Sequence, residues 1–137
     1  MKSALYGIGV GPGDKELLTI KAVRAIENSD VVIAPSALEG GESIALETAK
    51  EYIKAGTEVV IKHFPMGKKN RVEKAKECYE FIEEKLREGK NVSFLTIGDP
   101  YVYSTYIHML KHMKERGFHV ETVPGITSFC AAASLVD

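Results

Sequence analysis

The residues best suited to chemistry in this 137-residue sequence are Gly98-Asp99-Pro100, with Ser104 and Thr105 just beyond them. They follow the apolar run Val92-Ser93-Phe94-Leu95, which reads as a buried strand, and they precede a helical pattern. A turn at the carboxyl end of a strand is where open parallel α/β sheets bind ligands. Gly98 permits close approach to the backbone or a positive φ, Pro100 sets the following turn, and Asp99 offers a carboxylate or a helix N-cap. Ser104 and Thr105 place hydroxyls beside the free N–H groups of a first helical turn. Two further Gly/Pro turns end strands in the same way, at Gly9-Val10-Gly11-Pro12-Gly13-Asp14 and at Val123-Pro124-Gly125-Ile126-Thr127-Ser128. Three such turns on one sheet favour a small molecule held largely by backbone, with few charged catalytic groups.

Other chemistries fail on spacing. A dinucleotide fingerprint read from Gly7 meets Pro12 where its third glycine belongs, and read from Gly9 it meets Asp14. A phosphate-binding loop at Gly67-Lys68 has Lys69 in place of Ser or Thr and Lys62 in place of its first glycine. His108 and His112 stand four apart on a helix, but Met109 replaces the glutamate of a zinc-protease motif and no third ligand is near in sequence. They read as surface histidines, and no metal site is expected. His63 and His119 lie in no motif. No Ser-His-Asp or Cys-His signature assembles, so covalent catalysis is not indicated.

The elements that must position these turns alternate. Strands are expected at residues 4–9, 30–34, 58–64, 92–95 and about 118–123. Asp14 is placed as N-cap of a first helix carrying Leu18, Ala22, Ala25 and Ile26, Pro35 closes the second strand, and Ser43 caps a second helix stopped by Gly56. A long helix presents Val72, Ala75, Tyr79, Ile82 and Leu86 to a core. The next buries Tyr103, Tyr106, Ile107, Leu110 and Met113, and Thr127 or Ser128 caps a last helix of small residues. The fold class is therefore α/β, a five-stranded mostly parallel sheet with helices on both faces.

Composition sets outer limits. Hydrophobic residues at 45% and charged residues at 27% describe an ordinary globular domain, and a net charge of −1 gives no electrostatic case for nucleic acid. Cys78 and Cys130 are too few for a disulfide framework and read as buried thiols in a reduced, cytoplasmic setting. No signal peptide and no run of membrane-spanning length is visible. Residues 1–137 read as a single domain, and the final Ala131-Ala132-Ala133-Ser134-Leu135-Val136-Asp137 stops inside a helical pattern, as if cut from a longer protein.

Four segments in order resemble the tetrapyrrole methylase family: Gly7-Ile8-Gly9-Val10-Gly11-Pro12-Gly13-Asp14 with Leu17 to Ala22, Ala25-Ile26 to Asp30-Val31-Val32, Gly98-Asp99-Pro100, and Val123 to Ser128. Tyr103-Ser104-Thr105 and the alanines after Phe129 look like the branch that methylates carbon 20 of precorrin-2 or its cobalt form. The resemblance implies a two-domain, S-adenosylmethionine-dependent enzyme, usually a homodimer, of which this is the amino-terminal domain without its carboxyl-terminal partner. It implies that Gly98, Asp99, Ser104, Thr105, Ile126, Thr127 and Ser128 hold the cofactor. Gly9, Gly11, Pro12, Gly13, Asp14 and Pro35 would face the tetrapyrrole substrate, with Asp14 the candidate catalytic carboxylate. For Asp14 and Asp99, helix capping stays open beside a direct ligand role. Methylases of uroporphyrinogen, other precorrins or diphthine, a non-catalytic α/β binding module and a nucleotide-dependent oxidoreductase are the alternatives.

Overall fold

The structure is a computed structural model describing residues 3–36, 40–63, 68–102 and 106–136, with backbone alone for 68–71. Its five strands are β1 Leu5–Gly9, β2 Val31–Ser36, β3 Glu58–His63, β4 Val92–Thr96 and β5 Val120–Val123. The helices are α1 Ile20–Glu27, α2 Ile44–Ala49, α3 Lys68–Arg87, α4 Tyr106–Glu115 and α5 Ser128–Val136. The strands form one sheet in the order β3-β2-β4-β1-β5, and every pairing is parallel.

Strand side chains alternate faces, and that alternation sorts the core into two halves. Leu5, Val31, Ile33, Val92 and Phe94 pack against Cys78, Ile82 and Leu86 of α3 and Tyr106, Met109 and Met113 of α4. Ile8, Val32, Ala34 and Leu95 on the other face meet Ala22 and Ile26 of α1 and Ala45 and Ala49 of α2. Handedness dictates this division. Right-handed crossovers stepping toward β2 and β3 must pass on one face, and those returning to β4 and β5 on the other.

Several local expectations change. The first helix begins at Ile20, where Thr19 Oγ1 accepts from the Ala22 amide at 3.0 Å; Asp14 instead caps a separate 3-10 turn, Lys15–Leu17. Sequence reasoning passed over Thr19 because Asp14 stood earlier and is the equally good cap type. The second strand runs on through Pro35, which pairs with Lys62 of β3. Val31 donates its N–H toward Asn91, ahead of β4, so the same-parity Pro35 lacks its N–H on the side where β4 pairing has already ended at Ile33. The second helix is short, passing into a 3-10 turn at Lys50–Tyr52 before the Gly56 turn.

Among the side chains assigned to core stripes, Val72 and Ile107 are exposed, while Met109, outside those stripes, is buried; Cys78 is buried as its reading expects. Helical spacing identifies a stripe without saying how wide the covering sheet is, and α3 extends past it at its amino end. Cys130, expected buried, is exposed, because α5 has no buried residue at all. Tyr103 lies outside the described residues. His112 is half-buried rather than fully on the surface, its ring 4.7 Å from that of Tyr79.

Candidate functional site

The sheet order brings two oppositely directed connections together. From β1 the chain leaves toward β2, and from the neighbouring β4 it leaves toward β5, which makes the carboxyl ends of β1 and β4 a topological switch point. The β5 turn flanks β1 on its other side, so the three Gly/Pro turns converge.

Their contact is made by backbone. Gly98 donates its N–H to the Gly11 carbonyl at 2.8 Å, and Gly11 returns one to the Gly98 carbonyl at 3.3 Å. A Cβ on Gly9 would stand 2.5 Å from the Gly98 carbonyl oxygen and 2.8 Å from the Gly125 nitrogen, and a Cβ on Gly125 would strike the same oxygen. Neither glycine has a positive φ, so lack of room alone demands glycine at both positions. Gly98, at φ 71°, is the reverse: a Cβ there would meet nothing nearer than Ile126 O and Thr127 Cα at 3.9 Å. Its α-carbon faces open space bordered by Ile126 and Thr127.

Asp99 is the charged residue of this knot. Its Oδ1 accepts from the Tyr101 amide at 2.9 Å and its Oδ2 from the Gly125 amide at 3.0 Å, which ties the β4 turn to the β5 turn. Thr127 caps α5 with Oγ1 3.4 Å from the Cys130 amide, and Ser128 begins that helix, exposed. Pro12, Gly13 and Asp14 lie outside the knot, leading into the 3-10 turn, which Asp14 caps by accepting from the Glu16 amide through Oδ1 at 2.9 Å. Pro35 sits at the same carboxyl edge of the sheet, in β2, two strands from β1. Ser104 and Thr105 lie outside the described residues.

Behind the knot, Tyr106 is fully buried with its hydroxyl 2.8 Å from Thr122 Oγ1, and burial pushes its phenol up from the ordinary tyrosine range. Its ring occupies the place of the side chain that Gly7 lacks. Sequence reasoning gave Gly7 no such role, though a glycine inside an apolar strand is itself a signal of close approach. Around the knot Ile97, Tyr101, Ile126 and Phe129 stand exposed. The result is a shelf of close-packed backbone with an apolar rim, suited to a ligand that packs flat surfaces against it. Among the described residues no group of three or more His, Cys, Asp or Glu side chains could hold a metal ion, and no helix is long and apolar enough to cross a membrane.

Comparison with known proteins decides the family. The model of the Tetrapyrrole (Corrin/Porphyrin) Methylases matches residues 4–137. The chain belongs to the tetrapyrrole methylase family. This chain is 42% identical over 134 residues to a probable cobalt-precorrin-2 C(20)-methyltransferase of Methanocaldococcus jannaschii, and 35% identical over 136 residues to the cobalt-precorrin-2 C(20)-methyltransferase of Salmonella typhimurium. It covers 97% and 98% of its own length in those alignments but only 57% of either relative. Among solved structures, a cobalt precorrin-4 methyltransferase superposes with a TM-score of 0.77 at 30% identity, covering 96% of this chain and 49% of that one. A Thermus thermophilus uroporphyrin-III C-methyltransferase complexed with S-adenosylhomocysteine superposes at 0.72 with 27% identity, covering 96% and 48%.

Proposed function

We propose that this chain is the amino-terminal domain of an S-adenosylmethionine-dependent methyltransferase acting on carbon 20 of precorrin-2 or cobalt-precorrin-2 in cobalamin biosynthesis. The observation that carries the reading is the 42% identity, along nearly the whole chain, to a relative named for that reaction. The backbone shelf at the switch point supports it, because it offers a rigid surface with apolar packing and asks for no opposing buried charge. In this reading Gly98, Asp99, Ser104, Thr105, Ile126, Thr127 and Ser128 build the cofactor side. Gly9, Gly11, Pro12, Gly13, Asp14 and Pro35 face the tetrapyrrole.

Bound on the shelf, S-adenosylmethionine supplies a methyl group already activated by its sulfonium. The chain then has to align that methyl with a nucleophilic carbon of the tetrapyrrole and keep water out, which needs rigid surfaces more than acids and bases. The Gly9, Gly98 and Gly125 contacts supply the rigidity, and Ile97, Tyr101 and Ile126 the apolar cover. Asp14, exposed and with only Oδ1 engaged by the Glu16 amide, is the carboxylate available to take up a proton.

A carboxyl-terminal domain covers the shelf from the other side, the full protein is a homodimer, and it works in the cytoplasm. The exposed Phe129, Leu135 and Val136 of α5 support the second domain, since they present apolar surface with no cover in this chain. The test is calorimetric titration of the full-length protein and of this chain with S-adenosylhomocysteine, followed by incubation of the full-length protein with methyl-labelled cofactor and cobalt-precorrin-2. Binding by the full-length protein, its loss in the chain alone, and label at carbon 20 are expected. Label only on uroporphyrinogen or precorrin-4 would move the assignment within the family. No binding by a folded full-length protein would refute the methyltransferase reading.

A further inference from the structure

We infer that the groove between α3 and α4 is a second ligand site, built for a phosphomonoester: the phosphate sits on Arg87 and Arg116, and the organic part lies along Tyr79 and His112. The site stands apart from the shelf. α4 leaves β4 at the carboxyl edge of the sheet and hands the chain to β5 at the amino edge, so its last turn, with His112 and Arg116, lies across the sheet from the glycine knot.

The groove encloses about 350 Å3, at the lower end of the range for small-molecule sites, so a phosphate carrying an organic part fills it better than a lone phosphate. Its floor is the buried Glu83, whose Oε1 accepts from Arg116 Nε and lies 3.8 Å from Arg87 Nη2. That carboxylate leaves most of the surrounding donors unclaimed. Arg116 spends only its Nε–H on it, and Arg87 stands beyond hydrogen-bond distance, its guanidinium held over the Phe118 ring at 5.4 Å. Lys76 adds a third cation at the rim, against one further carboxylate, the exposed Glu80. His112 supplies an independent observation. Its Nε2 is buried, has no hydrogen-bond partner among the described residues, and stands 3.9 Å from Glu83 Oε2, too far for a bond. A buried ring nitrogen in that state calls for a partner, and when it carries a proton an oxyanion between the two arginines gives it one. Forked guanidinium groups match phosphate geometry, and the Tyr79 and His112 rings, 4.7 Å apart and 30° from parallel, form a flat wall beside them.

The experiment titrates phenyl phosphate into histidine-labelled full-length protein at constant ionic strength, with inorganic phosphate as the comparison. The His112 ring signal should move saturably below about 10 mM, with phenyl phosphate bound about tenfold more tightly than inorganic phosphate. S-adenosylhomocysteine should not displace it. Arg87→Gln should weaken binding about tenfold, because a hydrogen bond between charged groups is lost. Glu83→Gln removes the carboxylate that competes for the arginines, and should tighten binding. Absence of a saturable His112 shift, unchanged affinity in Arg87→Gln, weaker binding in a folded Glu83→Gln, equal affinity for the two phosphates, or displacement by S-adenosylhomocysteine would each overturn the inference. If Arg87→Gln fails to fold, the exposed Lys76→Ala carries the same test, with weakening expected and unchanged affinity overturning it. The His112 signal is read without any cofactor, so failure of the methyltransferase reading is a separate result that leaves this inference standing.

Discussion

Gly9→Ala is the most direct test of the glycine knot. The added Cβ would lie 2.5 Å from the Gly98 oxygen and 2.8 and 2.9 Å from the nitrogen and α-carbon of Gly125, all of them backbone atoms. A carbon to carbonyl-oxygen contact is comfortable at about 3.3–3.6 Å, so the β4 and β5 turns must retreat by about 0.8–1.1 Å. No rotamer change relieves the clash. Overpacking of this kind costs about 1–3 kcal/mol. The retreat also stretches the 2.8 Å and 3.3 Å bonds between Gly11 and Gly98 and the 3.0 Å bond from Gly125 to Asp99. Partial loss of these adds about 1 kcal/mol, for a total near 2–4 kcal/mol. Gly56→Ala is the control, because Gly56 has φ 89° with nothing within 4 Å of a Cβ, leaving only a left-handed backbone cost of about 1–2 kcal/mol. Urea unfolding followed by circular dichroism measures both. Gly9→Ala should be clearly the less stable variant and should bind S-adenosylhomocysteine at least about tenfold more weakly. Equal midpoints with wild-type ligand affinity would refute the claim that the three turns are in rigid contact.

The rest of the molecule makes its own predictions. Ellman's reagent should modify Cys130 in the native chain and reach Cys78 only on unfolding, and two fast-reacting native thiols would contradict the burial assigned to α3. Burial pushes the Cys78 thiol up from 9.0 to about 12, against a smaller opposing pull from Lys62. Because the folded value is the higher one, its contribution to stability is intact below pH 9 and is lost as pH rises toward 12. Urea midpoints should fall across that window, less steeply in Cys78→Ala. Tyr106→Phe removes the 2.8 Å bond to Thr122 and should cost about 1 kcal/mol in the same urea assay, whereas Gly7→Ala, which sets a Cβ on the buried Tyr106 ring, should cost about 3 kcal/mol. The buried Glu83 accepts from Arg116 and lies 3.8 Å from Arg87, so Glu83→Ala should destabilise by about 1–2 kcal/mol. Lys15→Ala, which breaks an exposed pair with Glu51, should cost less than about 0.5 kcal/mol, and equal effects would refute the distinction.

What this sequence determined by itself is what neighbours along the chain can encode. Apolar runs such as Val31-Val32-Ile33 and Val92-Ser93-Phe94-Leu95 mark strands buried on both faces, Ser43 marks a cap, and the alternation of strand and helix marks a parallel α/β sheet covered on two sides. The glycines of the three turns were also legible, since their type and place at strand ends are local facts. Only the tertiary structure decided what those glycines are for. The order β3-β2-β4-β1-β5 sets Gly9 between Gly98 and Gly125, partners some 90 and 116 positions away, and no local pattern measures the 2.5 Å that excludes a side chain there. The same holds for Asp99. Its type and position suit a cap or a ligand equally, and its bond to Gly125 exists because the crossover from β4 passes over β1 to the sheet edge. The exposure of Cys130, Val72 and Ile107 follows from the same cause. Periodicity specifies which residues share a face, and the sheet's extent and strand order specify which of those faces is covered.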